Sequence, residues 1–61
     1  MPSAAPILGY RVVAYDDHGS IVKQETWSGD DRRTMLESLR LVLAWEREGY
    51  EVAHETLTGV E

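Results

Sequence analysis

The most chemically dense stretch of the chain is Asp16-Asp17-His18-Gly19, two carboxylates and an imidazole side by side. Such a set can ligate a metal or pass a proton. The same residue types also form tight turns, because an Asp side chain accepts main-chain N–H groups a few residues on and Gly supplies a positive φ. The other imidazole, His54, is predicted four residues into a later strand, about 13 Å from the turn by strand geometry. Two histidines that far apart do not share an ion. Turn formation is therefore expected here, with no metal and no cofactor.

Nucleophilic chemistry has no better footing. Ser20 and Ser28 flank a β-favouring run, where turn and cap roles account for them. The glycines at 9, 19, 29, 49 and 59 are spread over element boundaries and form no phosphate-cradling loop. A chain of 61 residues has little room for a water-excluding pocket. The expectation is a protein that is not an enzyme.

The elements that must position any site follow from periodicity. Residues 8–15 and 20–27 are rich in β-branched and aromatic side chains and are separated by the Asp/Gly stretch, which predicts a hairpin turning at Gly19. Ser28-Gly29-Asp30-Asp31 then carries cap signals. Ser28 with Asp31 fits an acidic capping box, and Asp30 is a rival N-cap. Met35, Leu36, Leu39, Val42 and Leu43 recur at helical spacing, predicting a helix over 31–48 stopped by Gly49. Residues 50–58 alternate as a third strand. The fold class is thus α+β, one small β-β-α-β domain whose helix packs on one face of a three-stranded, mainly antiparallel sheet. Order 2-1-3 is preferred because it centres the most apolar strand. The domain is expected over 8–58, with a flexible arm at 1–7, where Pro2 and Pro6 leave little to bury, and a short tail at 59–61.

Composition sets the remaining bounds. With 43% hydrophobic residues the chain can build one core, but a second would not fit its length. The absence of cysteine excludes a disulfide scaffold or a thiolate zinc module. No apolar run approaches the roughly 18 residues of a membrane span, so no membrane partner is expected. Cytoplasmic residence follows as the default. Eleven acids against six bases give a net charge of −5, which argues against direct nucleic-acid binding and for a protein partner with a basic surface.

Two surfaces are left over once a core is drawn. If Met35, Leu39 and Val42 face the sheet, Thr34, Ser38, Leu41 and Trp45 form a second ridge facing solvent. Small residues beside large ones there would suit a homodimer or partner contact anchored by Trp45. On the sheet, Arg11, Val13 and Tyr15 share the face away from the helix. Arg11 is expected to pair with Glu51 or Glu55, and this face is the second candidate binding surface. The functional expectation is a small acidic interaction protein, homodimeric, that docks on a larger protein as an inhibitor, adaptor or antitoxin-like regulator. A nucleic-acid-binding regulator using the sheet face with Arg32 and Arg33 is the alternative.

The strand, strand, helix, Gly-aromatic, strand order, with Glu48-Gly49-Tyr50-Glu51-Val52 at its junction, is similar to that of small phage inhibitors of bacterial RNA polymerase. The hairpin followed by a capped helix also resembles the N-terminal part of HicB-type antitoxins. Both patterns are general to helix-to-strand junctions, so no family is assigned and no functional residue is carried over. A phage or mobile-element origin is an expectation of the same kind.

Overall fold

In a computed structural model describing residues 5–59, strand β1 (Ile7–Tyr15) turns into β2 (Ile21–Ser28), helix α1 (Arg32–Arg47) crosses over, and β3 (Glu51–Thr58) returns. The sheet order is β2-β1-β3 with both pairs antiparallel, as the apolar character of β1 predicts. The register sets Tyr10, Val12 and Ala14 opposite Trp27, Glu25 and Lys23 on one side, and opposite Thr56, His54 and Val52 on the other. Side chains alternate along a strand, so these residues share the helix-covered face.

The Asp-rich segment is a turn. The Asp16 carboxylate accepts the main-chain N–H groups of His18 at 2.8 Å and Ser20 at 2.9 Å. Gly19 takes φ 80° and donates to the Asp16 carbonyl at 3.1 Å. At the far end of the hairpin, Gly9 is demanded by space. A Cβ there would overlap the Trp27 main-chain carbonyl and lie 3.2 Å from the Ser28 Cα. The sheet starts one residue earlier than expected, since Ile7 is already paired with Thr58. Gly59 N–H donates to the Pro6 carbonyl at 2.8 Å, tying the start of the expected tail to the end of the expected arm. The rest of those two segments, 1–4 and 60–61, lies outside the described residues.

The helix N-cap is Asp31, rather than the expected Ser28 or Asp30. Ser28 is held in β2 opposite Gly9, and Asp31 is the residue with extended backbone whose side chain reaches back to the first turn. That carboxylate accepts Thr34 N–H at 3.3 Å and Thr34 Oγ1–H at 2.6 Å. These bonds, the hydroxyl first, hold its pKa below the ordinary value of 3.8. A carboxyl with a lowered folded-state pKa stabilises the fold at neutral pH and stops doing so as pH falls below 3.8 toward the lowered value. Asp31→Ala is therefore expected to lower Tm by a few degrees at pH 7. In thermal melts across pH, the difference from the parent should shrink in that acid range. An unchanged Tm at pH 7 would remove the cap from the account.

The helix packs on the sheet by a different face from the one expected. Ser38 is fully buried and Trp45 is 8% exposed, packed with Val12 and Ala14. Leu41 and Val42 flank this cluster, with Trp27, Tyr50 and Val52 closing it. Met35, Leu36, Leu39 and Leu43 stand 36–58% exposed. The reason is volume. Tyr10 and His54, with rings stacked 5.6 Å apart, rise from the sheet where the helix presents small Ser38. At the other end the sheet offers small Ala14, and the indole of Trp45 fills the space. Large meets small at both ends, which is how side-chain layers reach interior packing density.

Polar partners complete this interface. His54 Nε2 lies 2.8 Å from Ser38 Oγ, and that hydroxyl donates to the Met35 carbonyl at 2.7 Å. At the C-terminal end, Lys23 Nζ binds Glu48 at 3.0 Å and lies 4.9 Å from the Tyr50 ring centroid. Burial of apolar surface stabilises this small core, and the Ser38 bonds satisfy the polar group enclosed with it, while the Lys23–Glu48 pair lies at the surface.

Candidate docking surface

The expected interface ridge of Thr34, Ser38, Leu41 and Trp45 is the inner face of α1. Trp45 and Ser38 are buried there, and Thr34 and Leu41 are half-buried. The sheet has taken Ser38 and Trp45, and Thr34 and Leu41 keep part of their surface exposed. The second expected surface is assembled, with Val13 buried and Arg11 and Tyr15 half-buried. Arg11, Val13 and Tyr15 do share the open face. Arg11 Nε binds Glu55 Oε2 at 2.8 Å across the register, and Val13, between Gln24 and Ala53, is 2% exposed.

What the fold leaves open is the outer face of α1. At about 100° per residue, Leu39 stands about 120° round the helix from Trp45. Met35, Leu36, Leu39 and Leu43 form one stripe there. Four large apolar side chains on one face of so small a domain are a different matter from scattered exposed leucines, which are ordinary. Leu39→Gln with Leu43→Gln is expected to change unfolding free energy by no more than ~1 kcal/mol, about 0.5 at each site as for surface positions generally. Denaturant titration checks this, and a loss of several kcal/mol would mean the stripe belongs to the core.

The stripe has a basic flank. Arg32, Arg33 and Arg40 gather around Leu36 and line a shallow groove with Glu37, and Arg47 continues the row on the last turn. All four are exposed. Arg33 Nε lies 3.4 Å from Glu37, an i,i+4 pair at the surface and therefore weak. Arg32 and Arg33 sit in the first turn of the helix, where the dipole disfavours cations, beside the N-cap carboxylate of Asp31. Helix residues 32–47 carry four Arg and two Glu, a charge of +2, so the remainder of the chain carries −7 of the total −5.

Sequence reasoning missed these residues by assigning the leucines to the core. A usable signal was present in residue size: Thr34 and Ser38 are small enough for a helix to approach a sheet that carries Tyr10 and Trp27.

Among the described residues, no three His, Cys, Asp or Glu side chains cluster as a metal site. Asp16 is occupied by turn N–H groups, and Ser38 is fully buried with its proton given away. No helix among the described residues is long and apolar enough to cross a membrane. Comparison with known proteins finds no family model, no curated protein and no solved structure that matches this chain.

Proposed function

We propose that the chain is a small non-enzymatic interaction module of the cytoplasm that docks on a larger protein through the outer face of α1, acting as an inhibitor, adaptor or regulator. One observation carries the reading: Met35, Leu36, Leu39 and Leu43 form a continuous apolar stripe on a helix whose opposite face already fills the core. Burying such a stripe is the main favourable term in protein association. A helix seated in a partner's groove by residues at these spacings is a recurrent recognition mode.

Site-specific photo-crosslinking in the host tests it. A benzophenone side chain at position 39 is expected to give protein adducts, whereas one at exposed Gln24 on the open sheet face gives few. Adducts from 24 and none from 39 would overturn the proposal.

A nucleic-acid-binding regulator is the second reading, favoured by the convergence of Arg32, Arg33 and Arg40 on one groove. It requires complexes that weaken steeply with salt. Arg11, which that reading recruits from the sheet, is tied to Glu55. No mobility shift with duplex or single strands at low salt would remove it.

A further inference from the structure

The outer face of α1 has the layout of one strand of a coiled coil. Leu36, Leu39 and Leu43 alternate at three- and four-residue steps, as the a and d positions of a heptad do. In that frame Arg33, Arg40 and Arg47, spaced by seven, all occupy the e position beside the seam. The g positions are Met35 and Val42, and the outer d positions are Arg32 and Glu46, so the apolar seam is Leu36, Leu39 and Leu43 and the arginine row lies on one side of it. Charges at e and g choose the partner and its orientation.

From this we infer that the α1 face takes an acidic amphipathic helix, apolar along its own seam and carrying carboxylates opposite Arg33, Arg40 and Arg47. The inference rests on the docking reading above and names the partner's chemistry. It also reverses what net charge suggests. The chain as a whole is acidic, but the surface offered for docking carries the positive part of it.

A second copy of this chain fits poorly. Antiparallel pairing of two α1 helices about Leu39 would set e against e, placing Arg40 beside its own symmetry mate and Arg33 beside Arg47 of the second copy. Parallel pairing would offer those arginines only Met35 and Val42. Like charges flanking an apolar seam are a device that discriminates against self-association. The Arg33–Glu37 pair does not hold the row back, because an exposed i,i+4 contact exchanges at little cost.

The test uses the full chain and two synthetic peptides about three heptads long, with Leu at a and d and either Glu or Lys at every e and g position. By calorimetry at low salt, the Glu peptide is expected to bind and the Lys peptide not to bind. The variant R33E/R40E/R47E is expected to hold the Glu peptide roughly tenfold more weakly or worse, from three rim pairs of a few tenths of a kcal/mol each, and to gain affinity for the Lys peptide. All three sites are exposed, so circular dichroism should show the variant folded. Equal binding of both peptides, binding of neither, or a chain dimer that Leu39→Glu abolishes would each overturn the inference. If the Glu peptide fails while position 39 still crosslinks to a protein, docking stands and the acidic helix falls. If both fail, the docking reading falls as well.

Discussion

Trp45→Ala is expected to leave the chain largely unfolded at 25 °C. The indole fills the space above Val12 and Ala14 and is bordered by Leu41, Val42, Tyr50 and Val52. Truncating a buried Trp costs ~3–5 kcal/mol, through lost transfer energy and the cavity left behind. A domain of about 60 residues, with no cysteine for a disulfide, holds only a few kcal/mol in total. Far-UV circular dichroism and a urea titration read the result directly. If Trp45 were instead an interface anchor on the outside of the helix, its loss would change the mass in light scattering and leave the spectrum intact. A folded Trp45→Ala variant would contradict the observed helix orientation.

Gly9→Ala should be at least as damaging, for a different reason. The new methyl would overlap the Trp27 main-chain carbonyl, and main chain cannot rotate aside as a side chain can. The β1–β2 pair would have to separate at the end where Gly29 N–H donates to the Leu8 carbonyl at 2.8 Å. The expected cost exceeds ~4 kcal/mol, in the range reserved for strain and disrupted packing. Gly19→Ala is the control. Nothing lies within 4 Å of a Cβ there, so it carries only the cost of φ +80° on a residue with a side chain, about 1–2 kcal/mol. Comparable losses at the two sites, measured by denaturant titration, would show that close strand approach at Gly9 is not what matters.

Strand order, hairpin and ion pair were legible because each depends on local pattern. The β1 run is the most apolar of the three and belongs in the centre, Asp16 and Gly19 are turn residues, and Arg11 with Glu55 are charges brought opposite by register. The helix orientation was not legible from hydrophobicity. Leu, Met, Val and Trp cover well over half of the circumference of α1, and an apolar arc that wide does not name its own inner edge. Volume decides it, through small Ser38 against Tyr10 and His54 and large Trp45 over Ala14, and this pairing depends on which strand residues end up beneath each turn. Net charge misled in the same way. A total of −5 conceals a helix of +2, so the positive flank of the exposed α1 face emerges only once the exposed arginines are placed.

Everything proposed for function rests on which face of α1 meets solvent, and the chain's lack of cysteine makes that directly measurable. Single-cysteine variants Ser38→Cys and Leu39→Cys place a thiol on adjacent residues, one under the helix and one on its outer stripe. Under native conditions, Leu39→Cys is expected to react with a disulfide reagent close to the rate of a free thiol. Ser38→Cys should be protected until the protein is unfolded by denaturant. Fast labelling at 38 with protection at 39 would turn the helix over, return the leucines to the core and remove the docking surface.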